Sequence, residues 1–472
     1  MKDTKREHEL FANCPVMEAI IRLALPTVIG QIILVVYNMA DTFFVGLTGS
    51  DAMITSVTVT MPAFMFLSAI SNLFGVGGAS VISRALGAHD QKKAGNASAF
   101  ACWGCLALTM VYSLATWLLR DGFVDLLGGL DPLVHQNACD YLLYTVVIGG
   151  AFTSMNALLS HLIRAEGRSF QASLGVALGG ILNVALDPLF MFVILPSGME
   201  IVGAALATMI SNLIALIYFV VLIALESHKS VLCFKPTRQA LADRIPRDIL
   251  VAGLPACMMT LCENISYAVL DRLMAAFGTA MQAGLGVAKK VNMLAHSIVR
   301  GMAQGVLPLI GYNFGAGNIK RMKSSVLIST ILSVTMAMIC MAANLAFSNT
   351  LISVFIQHGS ESVDYGARFL RILCIGGPFS ACAYAFISFF QATGEGLKSF
   401  MLAILRKGIL DIPLMFALGK VLPVYGIVWA TPIADVICCG ISIVMFASFM
   451  HAQEKYFERQ EKMLAQSAAH MI

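Results

Sequence analysis

The sequence predicts an all-α polytopic membrane protein, its twelve transmembrane helices arranged as two parallel-repeat six-helix lobes. Three observations predict this. Hydrophobic residues make up 58% of the 472-residue chain and charged residues only 12%, whereas soluble domains carry about 25% charged residues. The apolar residues form continuous rather than alternating runs, which selects helices over a closed barrel as the way to cross a bilayer. The second half of the chain also repeats the first.

At about 20 apolar residues per span, this composition furnishes roughly a dozen spans and no sizeable extramembrane domain. The runs between polar breaks fall at 16–45, 53–82, 97–119, 135–160, 170–195, 202–225, 248–277, 282–311, 323–347, 363–389, 399–419 and 424–450. The lobes are then 1–225 and 248–450, joined by a charged cytoplasmic loop at 226–247 and followed by a short amphipathic cytoplasmic tail at 451–472. No cleavable signal peptide is expected. Met1 to Pro15 is charged, and the apolar run after it is too long and lacks a small-residue cleavage site.

Orientation follows from loop Lys and Arg. Lys2, Lys5, Arg6 and Arg22, then Arg84, Lys92 and Lys93, then Arg164 and Arg168 all fall on one side. So do Lys229, Lys235, Arg238, Arg244 and Arg247, then Lys320, Arg321 and Lys323, Lys398, and finally Lys455, Arg459 and Lys462. The opposite loops carry mainly acids: Asp51, Asp121, Asp125, Asp131, Glu200, Glu361 and Asp364. Both termini are expected in the cytoplasm, with the protein multi-pass in the cytoplasmic (inner) membrane.

The repeat is legible residue by residue. Leu25-Pro26 returns as Leu254-Pro255, 229 positions later. Gly87-Ala88-His89-Asp90 returns as Gly315-Ala316-Gly317-Asn318, and Leu186-Asp187-Pro188 as Leu410-Asp411-Ile412-Pro413. Gly203 and Thr208 return as Gly426 and Thr431. Six spans separate equivalent points, so both halves share one orientation about an axis along the membrane normal. Parallel repeats flanking a cleft are a transporter architecture; the plainer reading is an ancestral duplication without functional meaning.

Here the residues resemble a family. Leu25-Pro26, Tyr37-Asn38-Met39-Ala40-Asp41-Thr42 and Phe44-Val45-Gly46 are similar to the first helix of multidrug and toxic compound extrusion (MATE) transporters. Gly253-Leu254-Pro255 and the stretch from Gly301 to Ala316 carry the likeness into the second half. The resemblance covers essentially the whole chain. It implies a V-shaped twelve-helix antiporter that exports organic, often cationic, compounds in exchange for H⁺ or Na⁺.

Charges inside spans carry the mechanistic information, because each costs about 2.5–3.5 kcal/mol near the bilayer centre on insertion scales. Asp41 aligns with Asp271, and Asp187 with Asp411, so each lobe holds two acids. The C-terminal lobe supplies Arg272, Lys289, Lys290 and Lys407 as partners, Lys290 lying at the depth of the acids. The N-terminal lobe has no cation at that depth and offers neutral donors instead: Tyr37, Asn38, Asn183 and Thr208. Asn183 precedes Asp187 by one turn and shares its face. A buried carboxylate without a fixed cation must take up a proton, bind a metal ion, or remain costly. Asp41 and Asp187 are therefore the expected coupling pair, with Asn183 and Thr208 as auxiliary ligands for H⁺ or Na⁺. The resemblance agrees, since it implies acids and an asparagine at these positions. The bland alternative is a protonated acid beside a helix kink at Pro26 or Pro188.

Glu263, near the middle of the seventh span where the resembled family often has a functional glutamate, is a candidate for cationic substrate or a second ion; a salt bridge to Lys290 or to a neighbouring helix is the structural alternative. Asp271, Lys290, Asp411 and Asp435 join Tyr37 and Asn38 in that second set, a hydrogen-bonding role being the alternative for Asp435. Arg300, Arg368 and Arg371 are expected at helix ends or in pairs within the C-terminal lobe. Pro26 and Pro255 are candidate matched hinges, each removing a backbone hydrogen bond.

Several signals carry little. The 27 methionines suit a promiscuous cavity and are equally ordinary apolar filler. Cys102-Trp103-Gly104-Cys105 has redox spacing but lies within a span, and no His, Cys and acid spacing reads as a transition-metal site. No phosphate-binding Gly-Lys-Ser/Thr turn is present, which argues against ATP-driven transport by this chain. A net charge of +4 gives no case for nucleic acid. The expected partners are small organic cations or amphiphiles and membrane lipid, with no cofactor, and the protein is expected to work as a monomer. The alternatives are a flippase for a lipid-linked saccharide, which calls for a more cationic cleft, and an intramembrane lipid-modifying enzyme. The enzyme would need convergent His, Ser or acid groups at a membrane face, which the sequence does not offer.

Overall fold

The computed structural model describes residues 9–126, 131–228, 230–235, 238–241, 244–356 and 361–469, with the backbone alone for 51, 126, 238 and 456–469. Lys2, Lys5, Arg6 and Lys229 of the topology argument lie outside the described residues, as do the side chains of Asp51, Arg238, Arg459 and Lys462.

Every regular element among the described residues is helical. In chain order they are α1 (Val16–Leu47), α2 (Asp51–Gly87), α3 (Gln91–Leu118), α4 (Arg120–Leu126), α5 (Pro132–Leu142), α6 (Gly150–Ala165), α7 (Ser169–Leu189) and α8 (Glu200–Leu225). The second half contributes α9 (Ile245–Ala275), α10 (Thr279–Gly315), α11 (Ile319–Ser353), α12 (Glu361–Ile375), α13 (Gly377–Thr393), α14 (Gly396–Ile404), α15 (Ile412–Val421) and α16 (Tyr425–Ala469). Among the described residues, nine helices are long and apolar enough to cross a bilayer unaided. Two more crossings are bent pairs, α5–α6 by 49° and α12–α13 by 43°. The twelfth, α14–α15, is helical throughout but passes through a π segment, Leu405–Asp411, that carries charges.

The spans differ from the sequence reading in instructive ways. The fourth and tenth, read as straight, break at Gly149 and Gly376, whereas α1 and α9 run unbroken through Pro26 and Pro255. Wide π turns at Phe190–Ile194 and Leu405–Asp411 lie beside Pro188 and Pro413, where proline withholds an N–H from the ladder. The third and ninth spans begin earlier than their apolar runs because Asp90 and Asn318 cap them, accepting from the Lys93 and Arg321 amides at 2.9 and 3.0 Å. The preceding turns match as well: His89 and Gly317 both adopt left-handed φ, 59° and 71°. The tail is not a separate helix, because α16 continues without a break to Ala469.

Among the described residues, the lobes pack against each other in the halves nearer the chain termini. A Cβ on Gly253 would sit 1.7 Å from the Leu73 carbonyl oxygen, and one on Gly305 2.6 Å from the Ala24 Cα. Only glycine permits such close approach of helix backbones. Asn72 Nδ2 donates to Thr260 Oγ1 at 2.9 Å, and Gln31 Nε2 to Gln304 Oε1 at 3.2 Å. One apolar core here unites Leu23, Val28 and Leu162 with Ile249, Val306 and Phe389. Toward the other face the cores separate, one around Leu270, Leu373 and Met415, others around Met191, Val202 and Leu142. The cleft between the lobes therefore opens away from the termini. The connector is strapped to the first lobe: Glu166 accepts from Val231 N and Ser230 Oγ, both at 2.7 Å, and Trp103 Nε1 donates to the Phe234 carbonyl at 2.9 Å.

Candidate functional site

In the N-terminal lobe, α1, α7 and α8 bring the predicted coupling residues together. Gly180 lets α1 close on α7; a Cβ there would lie 3.1 Å from both Ile33 and Tyr37. Asn183 Nδ2 donates to Asp187 Oδ1 at 3.3 Å and to Thr208 Oγ1 at 3.2 Å. Asp187, Asn183 and Thr208 are buried, Asp187 completely. Asp41 Oδ1, Asn183 Oδ1 and Asp187 Oδ2 are all buried without a protein hydrogen-bond partner. Each of these oxygens, two of them carboxylate, is open to a proton or to a hard cation, which prefers oxygen ligands. Tyr37 interacts electrostatically with Asp41 and Asp187, and so does Tyr141 of α5, which sequence reasoning missed. Asn38 turns its amide back on its own helix, to the Leu34 carbonyl at 2.7 Å.

The C-terminal lobe is wired differently. Asp411, completely buried, is held by Lys407 Nζ at 2.9 Å, Ser266 Oγ at 2.7 Å and Thr431 Oγ1 at 2.9 Å. These are the repeat counterparts of Asn183, Tyr37 and Thr208. Where the first lobe has an amide, the second has an ammonium. The alignment of Asp41 with Asp271 needs correction. At the 229-residue offset that pairs Tyr37 with Ser266, Asp41 falls on Leu270, which is buried, and Asp271 lies about 100° round the helix. Asp271 instead pairs with Lys289 at a half-exposed position, apart from Asp411.

Lys290 binds neither Asp271 nor Asp411, nor does it meet Glu263. It makes no ion pair with Asp41 either, but that carboxylate in the other lobe is the acid within range of its charge. The packing explains this. Gly305 meets Ala24 and Gly301 meets Val28, so α10 runs antiparallel to α1; continued at that register, Asp41 is level with Ala288, half a turn from Lys290. Asp41 thus lies within the field of a cation from the other lobe, which no count within one lobe shows.

Glu263 pairs with Arg300 at 2.7 Å and accepts from Tyr384 Oη at 3.5 Å. Asp435 is buried against Arg406 at 2.7 Å, and that guanidinium stacks over the Tyr384 ring at 4.5 Å. Arg406 was not among the expected intramembrane cations; it lies beside Lys407 in the π segment. Arg371 reaches Ser348 Oγ at 2.7 Å and Arg368 the Tyr425 hydroxyl at 3.2 Å, both within the C-terminal lobe. Three acids, Glu263, Asp411 and Asp435, therefore face three cations, Arg300, Lys407 and Arg406.

Two six-helix halves in parallel repeat, closed at one face and cleft at the other, define a polytopic membrane transporter fold. The chain belongs to the MatE family, the multidrug and toxic compound extrusion transporters: the family profile matches residues 26–189 and again 255–417. The two matches begin at Pro26 and Pro255, the same pair that reveals the repeat. Among relatives, the multidrug export protein MepA of Staphylococcus aureus is 29% identical over 442 residues, covering 93% of this chain and 94% of that protein. MepA of Staphylococcus saprophyticus is 28% identical over 441 residues, with the same coverage. A multidrug resistance MATE family transporter of the MOP superfamily, solved outward-facing, superposes with a TM-score of 0.88 at 23% identity, covering 95% of this chain and 98% of its own. A MATE protein in complex with MaL6 gives 0.87 at 24% identity, covering 95% and 99%.

Proposed function

We propose that the protein is a secondary active antiporter that exports organic, chiefly cationic, compounds by alternating access in exchange for H⁺ or Na⁺ taken up at Asp41 and Asp187. One observation carries the reading: the same buried site exists twice, and only the N-terminal copy lacks a cation of its own. Lys407 neutralises Asp411 from within its site, whereas Asn183, in the equivalent place, leaves Asp187 Oδ2 unpartnered. A fixed ammonium makes a structural site, and a neutral amide leaves room for an exchangeable charge. The Staphylococcus relatives named for multidrug export support the substrate class.

The cleft opens away from the termini, so with both termini cytoplasmic it faces outward in the inner membrane, the state that discharges substrate and takes up the ion. Gly253 and Gly305 close the opposite gate, and Pro26 and Pro255 are the points at which α1 and α9 bend when it opens. Glu263, Asp271, Asp411 and Asp435 serve the C-terminal framework, because each holds a cation of its own lobe. A charge moving through 100 mV yields about 2.3 kcal/mol, equivalent to roughly a fifty-fold gradient. Exchange of one monovalent cation for one ion is electrically silent and draws only on the chemical gradient.

The test is efflux of a fluorescent monovalent organic cation from proteoliposomes, driven separately by a pH gradient and by a Na⁺ gradient. Transport under at least one gradient is expected, and its loss in Asp41→Asn. No transport under either gradient would overturn the antiporter reading and return the lipid-flippase alternative.

A further inference from the structure

On the membrane face opposite the termini, the loop between the third and fourth spans folds into α4 and the start of α5. Asp121 and Asp125 are four residues apart on α4, and His135 and Cys139 four apart on α5, so each pair shares one helix face. The two faces meet. Cys139 Sγ lies 3.6 Å from Asp121 Oδ1 and 3.7 Å from His135 Nδ1. One ligand atom from each of the three residues lies within 4.8 Å of the others, the one such group of His, Cys and acid among the described residues. No sequence spacing announced it, because the ligands come from two separate helices.

From these contacts we infer a binding site for a divalent cation of the zinc class, with Cys139 Sγ, His135 Nδ1 and Asp121 Oδ1 as ligands. A tetrahedral zinc centre with bonds of about 2.3 Å to sulfur and about 2.0–2.1 Å to nitrogen or oxygen has sulfur–ligand edges of about 3.5–3.6 Å. The two sulfur edges are within a few tenths of an ångström of that length. The donor set of one thiolate, one imidazole and one carboxylate selects a borderline metal over Mg²⁺ or Ca²⁺, which take oxygen.

The surroundings support the assignment. Asp125 Oδ1 and the Asp121 carbonyl oxygen each lie 3.4 Å from His135 Nε2. Acceptors at Nε2 fix the proton there and leave the Nδ1 lone pair for the metal, the carboxylate–histidine relay that orients zinc ligands. Cys139 is 5% exposed, while the Asp121 side chain is 73% exposed, so the site has a buried anchor and an open mouth for entry and for a fourth, water ligand. Arg120 Nε lies 3.8 Å from Asp121 Oδ1, a solvent-screened contact that a divalent ion displaces. Binding releases the Cys139 thiol proton, so affinity rises with pH. Occupancy pins α4 to α5 and braces the outer end of the fourth span.

The experiment uses the full chain without an affinity tag, in detergent, titrated with Zn²⁺ against a chromophoric chelator and separately with Co²⁺. One Zn²⁺ per chain is expected, with a thiolate-to-cobalt charge-transfer band. His135→Ala and Cys139→Ser should each weaken Zn²⁺ binding more than tenfold, and Cys139→Ser should abolish the band. Asp125→Asn, at an exposed position, should weaken binding by about tenfold or more and carries the test if Cys139→Ser does not fold. Equal Zn²⁺ affinity in the wild type, Asp125→Asn and His135→Ala, or a Co²⁺ complex without a thiolate band, would overturn the site.

Discussion

Asn183 and Lys407 occupy the same place in the two halves of the chain, each one turn ahead of a buried aspartate. Asn183 Nδ2 lies 3.3 Å from Asp187 Oδ1, and Lys407 Nζ lies 2.9 Å from Asp411 Oδ2. Beside them, Thr208 matches Thr431. Tyr37 answers to Ser266 and Asp41 to Leu270, and the amide at 183 against the ammonium at 407 leaves Asp187, but not Asp411, without a cation of its own lobe.

Installing the ammonium in the first lobe should therefore lock it. Asn183→Lys is expected to abolish ion-driven efflux in proteoliposomes while leaving expression and the thermal melt near wild type. Retained gradient-dependent efflux would show that the site does not exchange an ion.

The reverse change should act on stability. Lys407→Asn leaves Asp411 buried without its cation, and removing one partner of a buried pair costs about 3–5 kcal/mol. A clear fall in the melting temperature in detergent is expected, as for Asp435→Asn, which strands Arg406. An unchanged melt for both would mean that the C-terminal network is more solvated than its packing indicates.

Lys290→Met removes the cation that faces Asp41 from the other lobe. Like charges repel in a cleft of low dielectric, so an ammonium there disfavours a second cation beside Asp41. Apparent KM for a monovalent cationic dye should fall several-fold, with little change for a neutral substrate. Equal effects on both dyes would place the lysine outside the transport path.

Gly253→Val should wedge the lobes apart at the closed face, since even a methyl there overlaps the Leu73 carbonyl. Hydrogen–deuterium exchange should rise in α2 and α9 near this contact, and efflux should fall. Unchanged exchange would mean that the contact does not hold the gate.

Much of this was legible before any coordinates. Asp41, Asp187, Asn183 and Thr208 could be chosen because an acid inside an apolar run is costly and the duplication supplies a comparison. The C-terminal pairings were harder to read. Asp271 was matched with Asp41 by similarity of residue, but one position along a helix is about 100° of rotation, enough to turn a side chain from a buried site to a half-exposed surface. Arg406, in a π turn, was not singled out, and Lys290 was assigned to the acids of its own lobe, whereas the acid within range of its charge is Asp41 of the other. The breaks at Gly149 and Gly376 lacked the proline that draws attention to kinks.

The sequence by itself determined the membrane bundle, the parallel repeat and the acids of the N-terminal site, because composition, periodicity and intramembrane charge are properties of the chain read in order. Only the tertiary structure decided which cation answers which acid, that Lys290 lies in electrostatic range of Asp41 in the other lobe, and that Asp121, His135 and Cys139 converge. Those relations depend on the rotation of each helix about its axis and on the register between helices far apart in sequence. Packing sets both, and no single helix contains that information.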